Sequence, residues 1–155
     1  MNNSIGLHEE SAKNRAQQLN VLLANYQLYY QNVRGFHWNI KGPQFFELHA
    51  KFELMYTQAQ LMIDMIAERI LTLGAQPKHS FTAYLETAQI KEAVNVSSGN
   101  ETVKTVLENL NALLSIERQI LNDAAEAGDE GTATLMSDDI ALQEKEVWML
   151  GAYLG

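Results

Sequence analysis

Four long runs of this chain carry apolar residues along one side of a predicted helix, and in the first and third runs the steps between them alternate between four and three. The first run begins at Ala12 and leads to His37. Such spacing puts the apolar side chains on one stripe of a helix, and that stripe has to pack against other helices. No segment alternates apolar and polar residues as a half-buried strand does. The chain is therefore predicted to be all-α.

Glycine and proline mark where the predicted helices end. Gly42 and Pro43 stop the first helix, and Gly74 with Pro77 follows the second. The predicted boundaries are an N-terminal tail at 1–11, helices at 12–41, 44–73, 101–127 and 132–154, and a crossover at 74–100. The crossover, with a short helix near Phe81–Leu85, is long enough to let the second and third helices run parallel. The 155 residues therefore predict one domain, a four-helix bundle with one long crossover.

The net charge of the chain limits the kinds of partner that it can bind. Asp and Glu number 19 against 11 Lys and Arg, a formal net charge of −8, and such a surface repels nucleic-acid phosphates and anionic lipid. Because there is no cysteine, zinc–thiolate and iron–sulfur sites are excluded. Met1–Glu10 lacks the basic and apolar segments of a secretory signal, and no run approaches the ~18 apolar residues of a membrane span. We expect a cytoplasmic protein without a membrane partner.

Histidines and carboxylates are the remaining candidates for chemistry, because the chain has none of the common nucleophile or phosphate-binding motifs. His8 and His79 fall in polar segments and are predicted to be surface residues. His37 instead continues the apolar stripe of the first helix. A hydrogen-bonded core histidine is the plain alternative to a metal ligand at that position.

The second helix carries four further candidates, His49, Glu53, Asp64 and Glu68. At about 100° per residue they fall within an arc of ~100° on one face. Asp64 and Glu68 stand among apolar neighbours, where carboxylates are costly unless they are paired or bind a metal. A salt bridge from Arg69 to one of them is the plain alternative.

These residues cannot share one ion within one chain, because His49 and Asp64 are about 22 Å apart along the helix axis. However, the pairs His49–Glu68 and Glu53–Asp64 have a common midpoint at the centre of the predicted helix. An antiparallel copy of the helix, placed by a two-fold axis at that midpoint, would bring each pair together. On spacing alone, a metal site shared between subunits and a coincidence of two ordinary i,i+4 pairs remain equal alternatives.

Four strings of the sequence stand out: FHWNIKG at Phe36–Gly42, FFELHAKFELMY at Phe45–Tyr56, DMIAERI at Asp64–Ile70 and the closing EVWMLGAYLG. They resemble the Dps family (DNA-binding protein from starved cells), and the resemblance covers most of the chain. It implies a ferritin-like bundle that assembles into a hollow shell of twelve subunits. It also implies that iron is oxidised between two-fold-related subunits and that the ferric product is stored inside the shell.

Carried over by position, the resemblance implies that His37, Asp64 and Glu68 of one chain face His49 and Glu53 of its two-fold mate. The family commonly has aspartate where Glu53 stands, so its extra methylene is expected to shift the second, weaker iron position. The chain has no Glu-x-x-His sequence, which excludes the intrasubunit di-iron site of ordinary ferritins.

Imidazole and carboxylate ligands suit Fe(II), whereas the Fe(III) product prefers oxygen ligands and can move on to a mineral. The resemblance adds hydrogen peroxide as the preferred oxidant, with dioxygen as the other, and implies a ferroxidase that protects the cell from oxidative damage. Zinc or cobalt could compete for the same ligands. For Trp38, next to His37, core packing and electron donation near the iron are the two interpretations.

An acidic cluster surrounds the start of the fourth helix: Glu126, Asp129, Glu130, Asp138 and Asp139. Such a cluster is usually a solvated surface with favourable charges at a helix N-terminus. The resemblance implies instead that it lines a three-fold pore through which cations enter the shell.

DNA binding is expected to be weak or absent, because the segment before the first helix has Glu9 and Glu10 against a single Lys13. Association with the nucleoid is therefore not expected. A nucleoid-compacting shell and a metal-free helical interaction module remain as the alternative functions.

Overall fold

The computed structural model describes all 155 residues and contains five helices and no strand. The helices are α1 (Glu9–Asn39), α2 (Phe45–Thr72), α3 (Phe81–Thr87), α4 (Gly99–Glu126) and α5 (Glu130–Leu154). α1 packs against α2, α3 and α4, and α4 packs against α5. The predicted all-α bundle with a short helix in its crossover is confirmed. None of the five helices is both long enough and apolar enough to span a membrane.

The apolar stripe of α1 forms the centre of the bundle. Leu19, Leu23 and Val33 are buried, and Phe36 packs against Phe52 of α2 with the ring centroids 5.9 Å apart. Replacing one such leucine by alanine would cost about 2–5 kcal/mol, because burial is lost and a cavity remains. The four–three periodicity therefore correctly predicted which face of α1 is buried.

The helix ends follow local capping chemistry. α2 ends at a Schellman motif in which Gly74 has φ +93° and the Ala75 N–H donates to the Ile70 carbonyl at 3.1 Å. The Ser98 Oγ accepts a hydrogen bond from the Glu101 N–H at 3.2 Å, which starts α4 earlier than predicted, at Gly99.

The N-terminal residues fold back on the start of α1 instead of forming the predicted tail of 1–11. The Glu9 N–H donates to the Met1 carbonyl at 3.1 Å, and the Leu7 N–H donates to the Asn3 side-chain oxygen at 2.9 Å. These bonds close residues 1–8 into a small loop, so α1 begins at Glu9 and not at residue 12.

Buried asparagines of α1 hold the crossover, a role that the sequence pattern did not reveal. The Asn25 side-chain oxygen accepts from the Gln89 and Ile90 N–H groups at 2.9 and 3.0 Å. Asn32 likewise accepts from Ala93 at 2.9 Å and donates to the Lys91 carbonyl at 2.9 Å. An irregular segment can lie against a helix only if its backbone polar groups find such partners.

The crossover returns the chain to the end of the bundle where α2 begins. The Lys41 N–H, just before α2, donates to the Ser97 carbonyl, just before α4, at 2.8 Å. Because the two helices start at the same end, α2 and α4 run parallel, as the long connection predicted.

Candidate metal centre

The tight connection between α1 and α2 brings His37 and His49 together. His37 lies in the last turn of α1 and His49 in the second turn of α2, and their rings stack with centroids 3.9 Å apart and planes at 10°. His37 is buried and His49 is half-buried. One chain therefore supplies two imidazoles at a single place, beside its surface.

Each of these histidines is fixed by the backbone of the other. His37 Nδ1 lies 2.7 Å from the His49 carbonyl oxygen, and His49 Nδ1 lies 2.7 Å from the His37 carbonyl oxygen. A carbonyl can only accept, so both Nδ1 atoms carry the proton, and in the neutral rings both Nε2 atoms present a lone pair. This arrangement sets the tautomer that a metal-binding histidine needs.

Aromatic side chains enclose the two imidazoles. Phe45 stacks on the other face of His49 with a centroid separation of 4.9 Å, and the Tyr56 ring meets His37 edge-on at 5.3 Å. The His49 ring is thus stacked between His37 and Phe45, and Tyr56 packs against His37. The Nε2 edges are the parts of these histidines that remain to bind a ligand.

The three candidate carboxylates, Glu53, Asp64 and Glu68, are exposed in the single chain and form no ion pair. Asp64 and Glu68 stand among apolar neighbours in the sequence, yet both are exposed in the isolated subunit. The alternative in which Arg69 neutralises one of them is wrong. Arg69 instead binds Asp129, with Nη2 and Oδ1 2.7 Å apart.

No group of three or more His, Asp or Glu residues within the chain could hold a metal ion. The predicted division of the site, with His37 on the side of Asp64 and Glu68, is wrong, because His37 stacks on His49. Asp64 lies about 22 Å from His49 along α2. Any shared site must therefore combine both histidines of one chain with the two distant carboxylates of another.

The carboxylates share the outward face of α2 with large exposed apolar side chains. These are Phe46, Leu54, Leu61, Met65 and Leu71, each at least half exposed. An apolar surface of this kind marks an interaction site. Phe46 and Leu71 have the same midpoint along α2 as His49 and Glu68, so a two-fold axis that joined the polar pair would also join this apolar pair.

Trp38 does not pack in the core of the chain. Its side chain is 58% exposed, and the Arg34 guanidinium lies 5.1 Å from its ring. The core-packing interpretation is thus wrong for the single subunit. His8 and His79 are exposed, as predicted.

The acidic cluster near α5 divides into two groups. Glu126, Glu130 and Asp138 are exposed, but Asp129 and Asp139 are buried and cannot line a pore, so these two pore assignments are wrong. Asp129 caps α5 by accepting from the Thr132 N–H at 3.1 Å. Asp139 accepts from the Tyr26 hydroxyl at 2.6 Å inside the bundle.

Comparison with known proteins gives likenesses over nearly the whole chain. A sequence model of the ferritin-like domain matches residues 16–155. The crystal structure of a Dps protein from Vibrio cholerae O1, described as a member of a broad superfamily of ferritin-like diiron-carboxylate proteins, has a TM-score of 0.98. It is 54% identical and covers 99% of this chain and 97% of its own.

Two further relatives agree with this likeness. The DNA protection during starvation protein of Porphyromonas gingivalis is 45% identical over 148 residues, which are 96% of this chain and 93% of that protein. The crystal structure of a Dps protein from Bacillus brevis has a TM-score of 0.91 at 40% identity and covers 94% of this chain and 98% of its own.

Proposed function

The chain belongs to the Dps group of ferritin-like proteins, and from this we propose that it is a ferroxidase with sites shared between two-fold-related subunits. The observation that carries the proposal is the stacked pair of His37 and His49. Both Nδ1 atoms are held by carbonyls, and both Nε2 atoms are left for a metal. Ferrous iron is the substrate, and ferric iron is the product stored in the shell.

The proposed site combines residues of two chains. One subunit supplies His37, His49 and Glu53, and its two-fold mate supplies Asp64 and Glu68. The exposed, unpaired state of the three carboxylates supports this division, because each has free lone pairs in the single chain. Closing the apolar face of α2 against its mate would desolvate them, and a bound cation then offsets the cost of burial.

The proposed reaction oxidises two ferrous ions with one molecule of hydrogen peroxide. Each Fe(II) gives one electron, the O–O bond breaks, and with two protons two waters form, so that no hydroxyl radical is released. Dioxygen is the other candidate oxidant. Neutral imidazoles suit Fe(II), whereas the carboxylates suit the harder Fe(III) and help it to leave toward a mineral.

The chain is proposed to form a closed shell of twelve subunits before metal arrives, because an isolated subunit lacks a complete site. The exposed apolar side chains of α2 support such assembly. Glu126, Glu130 and Asp138 stay as proposed residues of a cation path into the shell, since they are the exposed members of the acidic cluster. A cytoplasmic location completes the proposal.

A crystal of the assembled protein soaked anaerobically in Fe(II) would test the site directly. Anomalous scattering at the iron edge is expected to place iron between His37 and His49 of one subunit and Asp64 and Glu68 of the next. Zinc and cobalt soaks would test the expected competition for these ligands. Iron found only at other residues would refute the proposal.

DNA binding is not expected to be a main activity. Glu9 and Glu10 are exposed at the start of α1, and residues 1–8 are folded into a closed loop. Together with the net charge of −8, this surface repels the phosphate backbone. A gel-shift assay at physiological salt, without added divalent cations, should show no retained duplex. Tight, salt-sensitive retention would favour the nucleoid-compacting alternative.

A further inference from the structure

Phe45 completes a stack of three rings at the candidate metal centre. Its ring lies nearly parallel to the His49 imidazole, with centroids 4.9 Å apart and planes at 17°, and such a separation is typical of offset-stacked aromatic pairs. The His37 ring stacks on the opposite side of His49 at 3.9 Å and 10°. His49 is therefore enclosed on both faces, by an imidazole of α1 and by a phenyl ring of its own helix.

Hydrogen bonding alone does not fix the plane of the His49 ring. One bond holds the ring, from Nδ1 to the His37 carbonyl oxygen at 2.7 Å. Rotation about the last side-chain bond of histidine has broad energy minima, so the ring can tilt about this hydrogen bond without losing it. Nε2 lies on the far side of the ring from Nδ1 and moves with every such tilt. The two neighbouring rings prevent this movement.

The end of α1 depends on the same imidazole. His37 lies in the last helical turn, where a carbonyl has no helical donor, and the Lys41 N–H that a longer helix would use donates to the Ser97 carbonyl instead, at 2.8 Å. His49 Nδ1 supplies the missing donor to the His37 carbonyl. This contact holds His49 from the side of α1, and Phe45 is the residue that holds it from the other side.

The turn between α1 and α2 sets the position of Phe45. Gly42 has φ +118°, in the left-handed region that favours glycine, and the Phe45 N–H donates to the Gly42 carbonyl at 3.1 Å. Phe45 is the first residue of α2 and precedes His49 by four positions, so the two side chains lie on one face of the helix. Phe45 is only half-buried. Core packing alone therefore does not account for an aromatic residue at this position.

We propose that Phe45 is a positioning residue of the shared site, a role that rests on the proposed function. Its ring holds the His49 imidazole flat against His37, so that His49 Nε2 stays directed at the metal. Phe45 has no ligand atom of its own, and it therefore acts on the binding of Fe(II) through His49 and not on the transfer of electrons. The site requires a ring at this position and not merely an apolar side chain.

Anaerobic titration of the assembled protein with Co²⁺ tests this role, because Co²⁺ suits the same ligands and its visible absorption reports their attachment. Phe45→Leu, which removes the ring and keeps an apolar side chain, should bind Co²⁺ about 3- to 10-fold more weakly. Phe45→Tyr, which keeps the ring, should restore the affinity of the wild type. In peroxide-driven Fe(II) oxidation, Phe45→Leu should raise KM and leave kcat nearly unchanged, as expected for a loss of binding.

The matched control is Phe52→Leu, which removes a buried ring of α2 that packs against Phe36. It should lower the thermal unfolding midpoint and leave Co²⁺ affinity unchanged. If Phe45→Leu bound Co²⁺ as tightly as the wild type, or if Phe52→Leu lost as much affinity, Phe45 would be only a packing residue and the proposal would be overturned.

The same titration separates this proposal from the proposed function. A wild-type protein that bound no Co²⁺ through histidine would refute the shared site itself, whereas tight binding by both the wild type and Phe45→Leu would overturn only the role of Phe45. If Phe45→Leu fails to assemble, Phe45→Met takes its place, because its flexible side chain fills similar space without a ring.

Discussion

The outward face of α2 and the turn between α4 and α5 use carboxylates in opposite ways. On α2, Asp64 and Glu68 are exposed and unpaired beside large apolar side chains. At the turn, Asp129 is buried, binds Arg69 and caps α5. A carboxylate that binds an arginine and caps a helix within the chain stabilises the fold, whereas one left free on an apolar surface is available to a partner and a metal.

The largest expected effect separates the stacked histidines His37 and His49 from the exposed histidines. His37→Ala and His49→Ala should each slow peroxide-driven Fe(II) oxidation by about 100-fold, because each removes an Nε2 ligand. The double variant should lose far less than the product of the two losses, since the residues act as a unit. Stopped-flow absorbance with anaerobic Fe(II) and added peroxide measures all three rates.

The control for this prediction is His79→Ala, which changes an exposed histidine of the crossover. Its rate should stay near that of the wild type. If an assembled His37/His49 double variant oxidised iron at the wild-type rate, the stacked pair would be a packing feature and the site would lie elsewhere.

The second prediction concerns Asp129, the buried carboxylate at the turn between α4 and α5. Asp129→Asn should lower the thermal unfolding midpoint by about 5–10 °C, because Arg69 loses its charged partner in a partly buried position. Oxidation per assembled shell should change little. Differential scanning calorimetry gives the midpoint, and Glu130→Gln at the exposed neighbouring position serves as the control. A loss of activity without a loss of stability would break the distinction between the two regions.

The smallest expected effect concerns the exposed acids of the same region. A Glu130→Gln/Asp138→Asn variant should take up Fe(II) about two- to five-fold more slowly at low ionic strength, because exposed charges attract cations only weakly through solvent. The difference should vanish at high salt, where the Debye length is short. If the variant and the wild type took up Fe(II) equally fast at low salt, Glu130 and Asp138 would not belong to the cation path.

The all-α fold could be predicted from the sequence because the same packing requirement repeats along every helix. The stripe of α1 is apolar wherever it meets the other helices, so each residue adds to one periodic signal. The role of Asn25 and Asn32 could not be predicted in this way. Their partners are backbone groups of the crossover, which carry no sequence pattern.

The sequence was enough to name the candidate residues of the site, but it did not predict how they are arranged in space. The common midpoint on α2 indicated a two-fold partner, yet the predicted division separated His37 from His49. Their contact depends on the tight turn between two helices and on bonds to carbonyl oxygens, which no residue type encodes. The burial of Asp129 and Asp139 likewise depends on Arg69 and Tyr26, which are 60 and 113 positions away along the chain.

Subunit mixing tests the shared site most directly. A His37→Ala/His49→Ala protein and an Asp64→Asn/Glu68→Gln protein should each be inactive as pure shells. In randomly mixed shells, half of the two-fold pairs contain one chain of each kind, and one of their two sites is intact. About a quarter of the wild-type oxidation rate should therefore return. Mixed shells as inactive as their parents would contradict a site built from both histidines of one chain and both distant carboxylates of its mate.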